Sequence, residues 1–137
     1  KRDYDPSIPE IYGDEDLFIQ AILNIVKNAQ QALLLTTNPV ITIKSRVSYS
    51  QPINGNLHPT LCEVSIIDNG PGIPTDIQEQ VFFPMVSSKE DGSGLGLSIS
   101  QDIIRIHGGA ITFKTKSGET AFSIQIPIKL NTEVQSA

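Results

Sequence analysis

Asp68-Asn69-Gly70-Pro71-Gly72-Ile73 follows the apolar run Leu61 to Ile67, and Gly92-Ser93-Gly94-Leu95-Gly96-Leu97-Ser98 opens a helical pattern further on. Upstream of both, Asn24-Ile25-Val26-Lys27-Asn28-Ala29 lies inside an amphipathic stretch. A strand ending on a carboxylate and a glycine turn, a second glycine cluster at a helix start, and a helix with paired asparagines together limit the fold that can hold them.

Working outward, Asp14-Glu15-Asp16 supplies an N-cap and an acidic first turn to a helix predicted to run to about Leu35, because acids there complement the exposed amide dipoles. Phe18, Ile22, Ile25, Ala29 and Ala32 recur at helical spacing as its core stripe. Asn24, Asn28 and Gln31 form a second, polar stripe about 110° away at about 100° per residue, as a cavity wall would. After Asn38-Pro39, Val40 to Tyr49 alternates as a half-buried strand, with Ile41, Ile43, Val47 and Tyr49 on one side and Lys44, Arg46 and Ser48 on the other. Gln51 to Thr60, with two prolines and Asn54-Gly55, reads as a loop into the strand Leu61 to Ile67. A short helix is expected near Thr75 to Gln80, and a longer one from Leu95 to His107, stopped by Gly108-Gly109. Ala110 to Thr115 and Ala121 to Ile128 complete the strands. This order cannot be a simple alternating βαβ array, and the expected fold is α/β (α+β): a two-layer sandwich with helices on one face of a mixed sheet. Residues 1–130 are read as one domain and 131–137 as a frayed, disordered tail.

Bulk properties exclude several functions. A chain of 137 residues can bury about two-thirds of its unfolded surface without disulfides or metals. Fifteen acids against ten Lys and Arg give a net charge of −5, which argues against a phosphate-backbone binder, so nucleic acid is not an expected partner. No apolar run approaches the roughly 20 residues that span a bilayer, and no signal pattern opens the chain, so no membrane is expected and the location is read as cytoplasmic. Cys62, between Leu61 and Val64, reads as a packed thiol in a reducing compartment.

Gly92, Gly94 and Gly96 are spaced G-x-G-x-G, which fails the dinucleotide pattern G-x-G-x-x-G, and the Walker pattern is absent. Two readings remain: a flexible loop, or glycines that let the backbone close onto phosphates while the Leu95 and Leu97 amides donate to them. Asp68 can accept from an exocyclic amine such as that of adenine, with Gly70 and Gly72 letting backbone approach the ring; an Asx turn ending the strand is the alternative. Asn24 and Asn28 stand one turn apart. They either form a solvated face or offer an amide oxygen to a Mg²⁺ otherwise held by phosphate and water.

Jointly and in order, these three motifs resemble the N, G1 and G2 boxes of the family that includes histidine kinases, gyrase-type topoisomerases, Hsp90 chaperones and mismatch-repair ATPases. Phe82-Phe83-Pro84-Met85 resembles its F box and Gly118-Glu119-Thr120-Ala121-Phe122 its last box, with Glu119 where many members have glycine. The resemblance implies an ATP site with Mg²⁺ as cofactor. It implies that Asn28 is the metal ligand, that Asp68 reads adenine with Gly70, Gly72 and Ile73 around it, and that Thr120 supports the base through water. It further implies that Gly92, Gly94, Leu95, Gly96 and Leu97 close the phosphate end. The family's mobile ATP lid would be Pro84 to Ser93, where Lys89 is the cation placed to reach the γ-phosphate; a solvated loop lysine is the alternative.

Hydrolysing members usually carry Glu one turn before the metal ligand, where this chain has Asn24. An amide cannot act as a general base, whereas an imidazole acceptor of pKa about 6.5 is already mostly neutral at pH 7. Asn24 therefore favours a protein-histidine kinase over an ATPase. His107 reads as structural and His58 fits no acceptor pattern, so the phosphoacceptor is expected on a separate dimerisation domain of a homodimeric parent. The opening Arg2 to Glu10 and the run Phe83 to Ser87 resemble the nitrogen-regulation sensor kinases. That resemblance implies a nitrogen response regulator and the PII signalling protein as partners.

Overall fold

The computed structural model describes residues 2–3, 15–49, 59–83 and 96–128. In chain order these form β1 (Arg2–Asp3), α1 (Glu15–Ala32), β2 (Ile41–Tyr49), β3 (Pro59–Asp68), a 3₁₀ helix (Thr75–Gln80), α2 (Gly96–Ile106), β4 (Ala110–Lys116) and β5 (Glu119–Pro127). The strands make one sheet in the order β1-β2-β3-β5-β4. Only β1 pairs in parallel, with Arg2 opposite Ile43, and the remaining ladders are antiparallel. The expected mixed sheet is thus present, and its parallel member is a two-residue strand too short to leave a pattern in the sequence.

Strand alternation divides the sheet into a wet and a dry face. Ile43, Cys62, Ile66, Phe122, Ile124, Ile126 and Ile111 share the inner face, and Ala21, Ile25 and Ala29 of α1 with Ile103 and Ile104 of α2 cover it as one core. Cys62 is buried there, as its apolar neighbours foretold. The outer face is polar: Ser65 and Ser123 hydroxyls pair at 3.0 Å across β3 and β5, and Gln125 bridges Glu63 and Thr112. One face carries the helices, so this is the expected two-layer sandwich.

One boundary differs from expectation. Helix α1 ends at Ala32 rather than near Leu35, because Leu33, Leu34 and Thr36 donate to carbonyls three residues back and the chain then turns left-handed at Asn38, with φ 54°. The inner stripe is centred on Ala21, Ile25 and Ala29, with Leu33 buried beyond it, while Ala32 is only half-buried. The segment near Thr75 is a 3₁₀ helix, with no side-chain cap. It is anchored by Phe82, whose ring packs edge-on against Phe113 and Phe122 at centroid distances of 6.0 and 6.1 Å.

Helix α2 is tied to α1 by one buried bond. Ser100, fully buried, donates its hydroxyl to the Ala21 carbonyl at 2.8 Å. At its far end Gly108 adopts φ 80°, and Gly109 enters β4 where an added Cβ would stand 2.3 Å from the Gln125 carbonyl oxygen. That close approach requires glycine.

Candidate functional site

Register places Asp68 of β3 directly opposite Thr120 of β5, and Thr120 opposite Thr115 of β4. The three polar side chains form one row on the inner face, at the end of the sheet where β3 stops. Asp68 is 3% and Thr120 4% exposed, in a layer otherwise apolar. Buried polar groups at the rim of such a core need partners. The Gly70 amide donates to Asp68 Oδ1 at 2.9 Å, so the Asx turn is present. A carboxylate offers about four lone-pair sites, and the Gly70 bond does not exhaust them.

The turn is folded tightly over this row. An added Cβ at Gly70 would lie 3.0 Å from Asp68 Oδ1 and 3.1 Å from the Ala32 carbonyl oxygen, so Gly70 sits beneath the last turn of α1. Gly72 has φ 91°, and its missing Cβ would stand 2.6 Å from the Lys116 carbonyl oxygen. The loop therefore crosses the end of β5 and reaches β4, where the Ile73 amide donates to Thr115 Oγ1 at 2.9 Å. Thr115 Oγ1 in turn lies 2.8 Å from Thr120 Oγ1. Asn69 secures the same corner from the other side. It accepts from the Val40 amide at 2.8 Å and donates to the Asn38 carbonyl at 3.0 Å.

Asn24 and Asn28 are half-buried on α1, off the core stripe. Gly96, first residue of α2, packs beside Asn24: an added Cβ would meet Asn24 Cβ at 3.7 Å. Leu97 turns its side chain into the core. The orphan amides of the first turn of α2 thus open next to the asparagine stripe. From Asn24 at this helix start to Ala32 over Gly70 is eight residues of α1, about 12 Å at 1.5 Å per residue. One helix spans both ends of an elongated site, with Asn28 between them.

Among the described residues no group of three or more His, Cys, Asp or Glu could cage a metal. The donor chemistry still fits Mg²⁺, which takes few protein ligands and keeps water and substrate phosphates. Neutral amide oxygens from Asn28 and Asn24 are ligands of that kind.

The structure brings Asp68, Gly70, Gly72, Ile73 and Thr120 together, and separately Asn24 and Gly96 with Asn28 between the two groups. Gly92, Gly94, Leu95 and Lys89, with the lid 84–93, lie outside the described residues, as does the tail 131–137. Glu119 points to the outer face by alternation from Thr120, 4.0 Å from the Lys116 ammonium, so its departure from the family glycine does not touch the row. His107 stacks on Phe18 at 4.2 Å and its Nδ1 bonds the Ile103 carbonyl, the structural role expected. Two contributors went unnoticed in the sequence. Thr115 was legible, since a two-residue turn at Ser117-Gly118 pairs it with Thr120; Ser100 carried no local signal.

Residues 13–130 match the family described as histidine kinase-, DNA gyrase B-, and HSP90-like ATPase. The chain is 48% identical over 128 residues to the sensory histidine kinase/phosphatase NtrB of Vibrio alginolyticus, an alignment covering 93% of this chain and 37% of that protein. It therefore spans a little over a third of such relatives. Among solved structures, the catalytic domain of histidine kinase ThkA superposes with a TM-score of 0.75 at 31% identity, covering 93% of this chain and 76% of that one. ThkA in complex with the response regulator TrrA superposes at 0.71 with 29% identity, covering 93% of this chain and 33% of that one.

Proposed function

This chain belongs to the family of histidine kinase-, DNA gyrase B- and HSP90-like ATPases, and from that membership we propose that it is the ATP-binding catalytic domain of a sensor histidine kinase in nitrogen regulation. The likeness to NtrB supports the nitrogen assignment. Residues 1–130 are assigned to the domain and 131–137 to a tail. The parent protein is a cytoplasmic homodimer, and among the described residues no helix is long and apolar enough to cross a membrane.

The observation that carries the kinase reading is Asn24 beside Gly96 at the start of α2. The group beside that helix start is an amide, which cannot deprotonate water. A neutral imidazole needs no such base. Its ring nitrogen lone pair attacks the γ-phosphorus, the bond to the β,γ-bridging oxygen breaks, and ADP leaves. Positioning and charge neutralisation dominate such a step. Asp68 accepts from the adenine amine, Thr120 supports the ring, and Gly70, Gly72 and Ile73 admit it. Gly92, Gly94, Gly96 and the Leu95 and Leu97 amides hold phosphate, with Lys89 reaching the γ-phosphate from the lid. Asn28, assisted by Asn24, would hold Mg²⁺, which supplies neutralisation of the developing phosphate charge.

The partners that follow are a histidine-bearing dimerisation domain of the same parent, a nitrogen response regulator and the PII protein; the complex of ThkA with TrrA supports the second. The test is to mix this chain with Mg·[γ-³²P]ATP and the parent's helical hairpin. Acid-labile phosphate on the hairpin is expected. Steady ADP release without the hairpin would favour an ATPase, and binding without either would favour an interaction module.

A further inference from the structure

The row at the end of the sheet contains more than its two proposed adenine contacts. Thr115 Oγ1 receives the Ile73 N–H at 2.9 Å and stands 2.8 Å from Thr120 Oγ1, and either hydroxyl could supply the proton between them. A hydroxyl has one proton and two lone pairs, while a backbone amide can only donate. The Ile73 bond therefore occupies a lone pair of Thr115 and polarises its O–H, making it the better donor of the two, since hydrogen bonds in series strengthen one another. If Thr115 donates to Thr120, the Thr120 proton is unspent. It lies in a layer where Thr120 is 4% exposed, next to Asp68.

We propose that Thr115 is a specificity-determining positioning residue: it orders the chain Ile73 N–H to Thr115 O–H to Thr120 O–H, so that Thr120 presents a donor toward the base beside the acceptor of Asp68. The inference rests on the adenine reading of the site. An acceptor and a donor side by side match the edge of adenine, where the exocyclic amine donates and the adjacent N1 accepts. On guanine that edge is reversed, with a carbonyl oxygen in place of the amine and a protonated N1. Discrimination is strong when a mismatched ligand leaves buried polar groups unpaired. The same bond couples selection to the loop, because the amide that orients Thr115 belongs to the segment Gly70 to Ile73, held against β4 by Gly72.

The experiment is calorimetric titration of wild type, Thr115→Val and Thr115→Ser with Mg·ATP, Mg·GTP and Mg·1-deaza-ATP, which keeps the amine but lacks the N1 acceptor. Thr115→Val should weaken ATP about tenfold, the value of one buried hydrogen bond, and change 1-deaza-ATP by less than about twofold. Thr115→Ser should restore both the affinity and the ATP preference, and exchange of the Ile73 amide should be faster only in the valine variant. If valine does not fold, Thr115→Cys, a weak donor and acceptor, reads the same ratio. Equal weakening of ATP and 1-deaza-ATP, or an unchanged ATP to GTP ratio, would overturn the proposal, since a purely structural role moves all nucleotides together. Asp68→Asn in the same titrations separates the levels. If it abolishes ATP preference while Thr115→Val does not, only the role of Thr115 falls. If neither it nor wild type distinguishes ATP from GTP, the adenine reading falls and takes the proposal with it.

Discussion

The two ends of the proposed site are built differently. At the base end, Asp68, Thr120 and Thr115 come from neighbouring strands in fixed register, and a glycine loop is bonded down over them. At the proposed phosphate end, Asn24 of α1 lies beside Gly96 at the start of α2, Asn28 follows one turn along α1, and the two helices are joined by the Ser100 hydroxyl on the Ala21 carbonyl. A sheet edge sets distances to within the pleat, so the proposed selection of a base would be preorganised there. A helix pair adjusts by sliding, and its amides are neutral. In the function proposed above, the phosphate end would need a metal to complete it, while the base end would not.

The strongest way to break that contrast is Asn28→Ala. Loss of one ligand from an octahedral ion should lower phosphotransfer to a supplied acceptor hairpin by about 10²-fold or more, about 2.7 kcal/mol of barrier, with a smaller loss of nucleotide binding. Normal transfer of label would remove the metal from this end. Asn24→Glu adds a general base in the same place. ADP production without acceptor should rise roughly tenfold to a hundredfold, toward the lower range for such groups, and transfer should fall; a coupled ADP assay reads the first. Asp68→Asn tests the base end. It should weaken ATP and adenosine alike by about tenfold to a hundredfold, corresponding to about 1.5–3 kcal/mol for a charge-assisted bond, with the fold intact. If titration shows that adenosine affinity is retained, Asp68 does not read the base.

Smaller effects sharpen the division. Gly72→Ala forces a left-handed residue and a Cβ against the Lys116 carbonyl, and should lower stability by about 1–3 kcal/mol in urea unfolding. Its effect on binding should appear with adenosine as well as ATP. Ser100→Ala removes one hydrogen bond between the helices and should lower stability by about 1 kcal/mol. It should weaken ATP while leaving adenosine unchanged, because the loosened contact is remote from the sheet row. A parallel loss of adenosine affinity would show that the two ends are not independent.

Much of this was readable along the chain. The 3.6 and 2.0 periodicities located α1 and the four long strands, since burying one face imposes them residue by residue. The Asn24 and Asn28 stripe was visible for the same reason. Asp68 before Gly70 and Gly72 was visible because a buried carboxylate ending an apolar strand conflicts with the local pattern, and such conflicts mark sites. Boundaries were less legible. The end of α1 depends on carbonyls tightening to three-residue bonds and on Asn38, neither of which alters the apolar spacing.

By itself, then, the sequence determined the period of each element and which glycines and polar groups break it, because both follow from interactions within a few residues, whereas packing moved the inner stripe of α1 onto Ala21. It could not decide that Gly96 lies against Asn24, that Ser100 reaches Ala21 across 79 residues, or that the loop after Asp68 ends on Thr115. Those contacts join segments whose distance in the chain carries no periodic signal. They exist because the sheet register and the burial of a common core place α1, α2 and the β3 turn at one edge, and only the packed tertiary structure specifies that arrangement.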